Sequence, residues 1–235
     1  MFGRKEKTPA KARLLASVIV FTLACNPLFC ETRVYREKTG DREYVNIYSI
    51  DRSPQGSLIS IQSRYREKVF LRKKVWVDEA FSTLKWKYHN LLDEMDLYAY
   101  RHGNRITLSG MSRGVSIERT YKIDGNPWKQ QFPLDLEKFA LSDKKLLNFW
   151  AIGTSEPAEL KIAKFIARKR GRDSITVNGC TSAALRITVS LHGLLSLFWH
   201  GESWHRLLDG NYILFESTGV PGHPPTVMEM LGQSR

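Results

Sequence analysis

The sequence predicts a mainly β fold: a single highly curved antiparallel sheet, a half-barrel or clam, with one short helix. Three observations predict it. From about residue 32 onward, short runs alternate apolar and polar side chains with the period of two that gives a strand one dry face. Turn-forming pairs recur between those runs at intervals that suit a meander. One stretch alone carries a helix start signal. At 235 residues, with 42% hydrophobic and 26% charged side chains, the chain is long enough for one large β domain. The same balance excludes a disordered chain and a multi-span membrane protein.

Residues 1–24 read as a signal peptide. Arg4, Lys5, Lys7, Lys11 and Arg13, against Glu6 alone, precede the apolar run Leu14 to Leu23. That run is too short to cross a hydrocarbon core of about 30 Å as a helix but fits the apolar part of a secretory signal. Thr22-Leu23-Ala24 has the small-x-small pattern for cleavage before Cys25. Cleavage before a cysteine resembles the bacterial lipoprotein signal, which implies lipidation of Cys25 and anchoring at a membrane surface. Thr22 stands where that pattern prefers leucine, so ordinary secretion or a retained anchor are the alternatives. Residues 25–34 would then be a tether and 35–235 a single β domain, in the periplasm or anchored to a bacterial envelope membrane. Removing the segment's net +4 from the formal +12 leaves +8, which favours acidic surfaces such as anionic lipid without bearing on fold. An exported location also permits a disulfide between Cys30 and Cys180.

Strands are expected at Glu43 to Asp51, Leu58 to Tyr65, Val69 to Val77, Phe81 to His89, Leu97 to His102 and Arg105 to Ser109. Val115, Ile117, Tyr121 and Ile123 alternate with polar residues, interrupted by Arg119. The clearest alternation is Leu185, Ile187 and Val189 against Arg186, Thr188 and Ser190. Gly103-Asn104, Asp124-Gly125, Asn178-Gly179 and Asp209-Gly210 supply the positive φ that hairpins need. The helix is expected over Asp143 to Phe149, capped by Ser142, with Leu146, Leu147 and Trp150 gathered on one side. Residues 128–141, with Pro133, read as a connection between two groups of strands.

No catalytic residue emerges: a nucleophile elbow, a P-loop, a dinucleotide-binding glycine fingerprint and a zinc-protease helix are all absent, so neither an enzyme nor a cofactor is expected. His200, Glu202 and His205 cluster, but strand parity puts His205 on the other face from the first two, which spoils a metal site. The cysteines have no metal spacing. The basic stretches Arg64 to Lys74 and Arg168 to Arg172 read as solvated or lipid-facing, the second in a hairpin turn beside Asp173, and nucleic acid is not an expected partner. The aromatic residues are the candidate site. Leu84, Trp86 and Tyr88 share a strand face, as do Tyr98 and Tyr100, and Trp199 and Trp204 come from late strands. They form either ordinary core or the wall of an apolar cleft.

Residues 175–231 carry, in order, the Asn178-Gly179 turn, an aliphatic strand, the Trp199 and Trp204 segment, the Asp209-Gly210 turn and a glycine-proline stretch at Gly222. This order resembles uncharacterised bacterial periplasmic proteins and lipoproteins with a curved antiparallel sheet, similar to the lipoprotein-carrier fold of LolA, LolB and LppX. The resemblance implies a concave sheet face that holds an acyl chain or another apolar ligand. The rival is a non-enzymatic interaction or structural protein of an envelope assembly, whose sheet encloses only a filled core.

Overall fold

A computed structural model describes residues 29–154, 160–193, 199–219 and 224–234. The expected signal peptide, Cys25 and Gly222 lie outside the described residues. Eight strands run as a meander of hairpins: β1 (Phe29–Thr39), β2 (Arg42–Ser53), β3 (Gly56–Tyr65), β4 (Lys68–Val77), β5 (Thr83–Asn90), β6 (Met95–His102), β7 (Arg105–Ser112) and β8 (Val115–Lys122). A connection follows, with a 3-10 turn (Leu134–Leu136) and the helix α1 (Glu137–Leu141). Six more strands complete the described chain: β9 (Leu146–Ile152), β10 (Ile162–Val177), β11 (Cys180–Leu191), β12 (His200–Arg206), β13 (Tyr212–Ser217) and β14 (Thr226–Ser234). All fourteen belong to one antiparallel sheet, ordered β8-β7-β6-β5-β4-β3-β2-β1-β14-β13-β12-β11-β10-β9. The expected mainly β fold, one antiparallel sheet with one short helix, is therefore what the chain forms.

Each half of the sheet is built from local hairpins, and the halves join where β1 pairs with β14, Thr39 opposite Thr226 and Thr32 opposite Ser234. Register shifts at Val34/Tyr35, Ser63/Arg64, Trp76/Val77, Lys169/Gly171 and Trp204/His205 bend and twist the strands there. The sheet curls until its two ends approach without closing by strand pairing. The connection spans that seam: Thr83 N–H donates to Trp128 O, while Lys129 N–H donates to Trp150 O in β9. The Gln130 side chain accepts from Ile152 N–H and donates to Ile152 O, satisfying backbone groups of the β9 edge. Tyr121 in β8 donates to Leu160 O, just ahead of β10.

The core lies on the inner face. Ile50, Ile59, Val75, Trp86, Leu97 and Leu108 are buried there from one half. Phe149, Ala167, Ile187 and Val189 are buried from the other, beneath Leu136 and Phe139 of the connection and helix.

Four expectations need correction. Residues 29–34 are not a tether but the first half of the central strand; their inward side chains, Glu31 and Arg33, are charged, so the alternation that betrays a strand is missing. The helix ends where it was expected to begin: Ser142 closes α1, its N–H and Oγ both donating to Phe139 O, at 3.1 and 2.8 Å. Residues 146–152 are β9, because pairing of Phe149 with Phe165 and Leu147 with Ala167 outweighs the helical leaning of a leucine-rich run. Arg168 to Arg172 lies inside the sixteen-residue β10, bulged between Lys169 and Gly171, and is not a hairpin turn. Asp124-Gly125 leads out of β8 into the connection and makes no hairpin, whereas the other three glycine turns join β6 to β7, β10 to β11 and β12 to β13.

Candidate functional site

In β4 and β5 the register sets Lys73 opposite Tyr88 and Val75 opposite Trp86. These four side chains share the inner face with Leu71 and Leu97, since alternate residues of a strand point the same way. From the other half of the sheet, Phe149 of β9 stacks on Phe165 of β10 with ring centroids 5.4 Å apart and planes at 15°. Phe132 of the connection meets Phe149 at 5.6 Å and Phe165 at 5.4 Å, and Trp199 stands edge-on to Phe165 at 5.7 Å. Offset and edge-to-face contacts of this kind favour the aromatic cluster beyond its apolar area alone. Between the two halves lies a cleft of about 420 Å³, walled by Trp86, Tyr88, Phe132, Phe165, Leu191 and Trp199. Its size and lining are those of small-molecule sites, which run about 300–1,000 Å³ and are mostly apolar with a few polar groups.

The polar groups are few. Tyr88 Oη accepts from Asn90 Nδ2 at 3.0 Å, and burial raises the Tyr88 pKa. Trp86 Nε1 is buried with no acceptor among the described residues. Lys73 lines the cleft with its Nζ 5.5 Å from the centroid of the Tyr88 ring. Burial pushes the Lys73 pKa down, against the opposing charge of Glu37.

Of the six aromatic residues expected in the site, the structure brings Trp86, Tyr88 and Trp199 together and leaves three elsewhere. Tyr98 and Tyr100 pair with Lys87 and Lys85, so they occupy the outer face of the sheet. Trp204 also lies on the outer face, packed near Ala184 and Ile213, with its Nε1 donating to Asp173 Oδ2 at 2.8 Å. Leu84 leaves the face of Trp86 and Tyr88 because the register skips it, and it is exposed. Phe132, Phe165 and Lys73 were missed. Phe132 sits in a connection with no strand parity to read. Lys73 had a signal, a lone charge at the inward parity of Leu71, Val75 and Val77, but the basic run around it concealed that.

Cys30 and Cys180 are exposed free thiols, so the structure does not contain the disulfide that export would permit. His200 is exposed and Glu202 half-buried, while the buried His205 hydrogen-bonds Gly210 O and Ser203 Oγ. No group of three or more metal-ligating side chains forms among the described residues.

Among the described residues, clefts of about 690 and 580 Å³ are larger, and both are bordered by charged side chains near α1, including Glu31, Arg52, Glu137, Asp78 and Lys138. The first borders a satisfied network: Arg33 donates to Glu31 Oε1 at 2.7 Å, to both carboxylate oxygens of Glu137, and to Asn211 Oδ1 at 2.8 Å. Burial opposes the Arg33 charge, and Glu137, Tyr35 and Glu31 together outweigh it, so the guanidinium stays protonated. These groups bind one another.

No family model matches the chain, and no curated protein matches its sequence. The fold is similar to that in a crystal structure of a β-barrel-like protein of a domain of unknown function, DUF1849, from Brucella abortus. The match has a TM-score of 0.59 and covers 88% of this chain and 98% of that one, at 9% sequence identity. At that identity the likeness is one of fold.

Proposed function

We propose that the chain binds or carries an apolar or lipidic ligand in the aromatic cleft on the inner face of its sheet, and that it does so in a bacterial envelope after export. The observation that carries the reading is the cleft itself: about 420 Å³ between the sheet halves, walled by rings from β5, β10, the connection and the segment before β12. Burying apolar ligand surface against such a wall contributes about 25 cal/mol per Å² before the costs of association. Export rests on the basic start, the apolar run and the Ala24-Cys25 junction, and the carrier reading on the resemblance of residues 175–231 to the LolA group.

Native mass spectrometry of protein taken from its own envelope tests both parts. The expected result is a co-purified lipid on a chain that begins at a modified Cys25. A ligand-free protein that also fails to bind a fluorescent fatty-acyl probe would remove the binding reading. An unmodified mature N-terminus would remove lipidation and leave secretion.

The second reading, an interaction or structural protein, draws on a different observation. Trp128, Leu134, Leu136 and Phe139 of the connection already fill much of the inner face. The outer face of β4 to β6 meanwhile presents Arg72, Lys74, Lys85 and Lys87 beside Tyr98 and Tyr100. A partner with an acidic surface would suit that face.

A further inference from the structure

Among the described residues, cations on the inner face are answered by the protein itself, with one exception. Arg33 has Glu31, Glu137 and Asn211. Arg52 reaches Glu31 Oε2 at 3.1 Å. Lys129 donates to the carbonyls of Ala80, Phe81 and Asp135, at 3.2, 2.8 and 2.9 Å. Lys73 has the face of Tyr88 and, among the described residues, no carboxylate within ion-pair distance and no hydrogen-bond acceptor. The acid whose charge reaches it, Glu37, is occupied by Asn46 Nδ2 at 2.6 Å and Thr39 Oγ1 at 3.3 Å. Beside it on the next strand, Trp86 is a second unused donor, with its Nε1 buried and without an acceptor among the described residues.

A half-buried ammonium without an anion costs the fold stability, and so does a buried indole N–H without an acceptor. The same two donors sit at an aromatic wall that can hold a hydrocarbon chain. We propose that the cleft takes a single-chain amphiphile with an anionic head group, its chain against Phe132, Phe165 and Trp199 and its carboxylate or phosphate on Lys73. This deepens the apolar-ligand reading and rests on it. Lysine meets an anion as a point charge and does not demand the planar fork that selects carboxylate for arginine, so carboxylate and phosphate share the chemistry.

The test uses full-length protein purified under delipidating conditions and a neutral naphthylamine fluorophore as reporter of the cleft. Lauric acid, dodecyl phosphate and dodecanol, which carry the same chain, compete for it. Both anions, or one of them, should displace the reporter about tenfold better than the alcohol, as a charge-assisted hydrogen bond requires. The difference between the two anions identifies the head group. Lys73→Met should abolish the preference without lowering the melting temperature, since it removes an ammonium that lacks an anion, and Lys73→Arg should retain the preference. Equal competition by alcohol and acids in the wild type, or a preference that survives Lys73→Met, would overturn the head-group proposal while the cleft still binds. A reporter and amphiphiles that all fail to bind would remove the apolar-ligand reading and this inference together.

Discussion

His205 is buried with both ring nitrogens used. A carbonyl can only accept, so Nδ1–H donates to Gly210 O at 2.9 Å, and Nε2 accepts from Ser203 Oγ at 3.1 Å. Burial pushes its pKa down to about 4, from an ordinary value near 6.5. As pH falls, the unfolded chain takes up the proton first. The stability that neutral His205 contributes is therefore complete above about pH 6.5 and lost on the way down to about 4. Asp135 acts in the opposite sense: burial raises its pKa to about 6, so the folded state gains its proton first and acidification relieves a cost. The two slopes oppose each other over most of that window. In Asp135→Asn the urea midpoint should fall more steeply between about pH 6.5 and 4 than in the wild type; an unchanged slope would show that Asp135 does not titrate there. Packing gives a simpler prediction. Ile187 is fully buried on the inner face, and Ile187→Ala should cost about 2–5 kcal/mol in denaturant unfolding. Arg186 is half exposed, 3.4 Å from Asp173 and 3.8 Å from Glu202, and Arg186→Ala should cost no more than about 1 kcal/mol. The period of two made Ile187 legible in the sequence. Lys73 obeys the same period, yet its charge argues for the outside unless something waits for it within.

At the scale of the element, α1 is held in place from outside. Its five residues are too few to be stable through their own hydrogen bonds. Glu137 fixes it to the sheet through Arg33 and through Tyr212 N–H, which donates to Glu137 Oε1 at 3.3 Å. The Asp209-Gly210 turn packs directly beneath. A Cβ on Gly210 would come within 2.8 Å of Leu141 Cγ and 2.9 Å of Glu137 O, and the residue's φ is +74°. Glu137→Ala should cost about 3–5 kcal/mol, because it leaves a buried guanidinium short of its partner. Gly210→Ala should also destabilise, by more than about 1 kcal/mol, since both conformation and space forbid the methyl. Thermal unfolding checks both, and neutral effects would mean that α1 is not anchored as described. This element was the least legible. Ser142 signals a helix boundary equally well at either end, and only the pairing of Phe149 with Phe165 decides which side is helix. The glycine turn was readable because its φ requirement is local. The contact that makes Gly210 irreplaceable is with a segment about seventy residues earlier, beyond the reach of local pattern.

Across the whole molecule the strands fall into two meanders joined by one non-local pair, β1 with β14, in which Thr39 and Thr226 hydroxyls meet 187 residues apart in sequence. Each meander was legible as hairpins; their junction was not, because nothing local in either strand names so distant a partner. Strands flanked on both sides should be the last to open. Hydrogen exchange should show the amides of β1 and β14 exchanging only with global unfolding, while β8, at one end of the sheet, opens locally. Exchange of β1 as fast as that of β8 would contradict the topology. The same pair bears on how the chain avoids aggregating during synthesis. β2 to β8 can add one hairpin at a time, but β1 then shows a bare edge, a template for another molecule's strand, for as long as the second meander is being made. Charges on such an edge deter foreign strands, and β1 has them on both faces: Glu31 and Arg33 turned inward, Arg36 and Lys38 turned out. A stranger that docked there would leave Arg33 without Glu137 and Asn211, whereas the rightful strand arrives on a chain that brings both. An edge that carries Arg33 would thus disfavour self-association before it becomes the centre of the finished sheet.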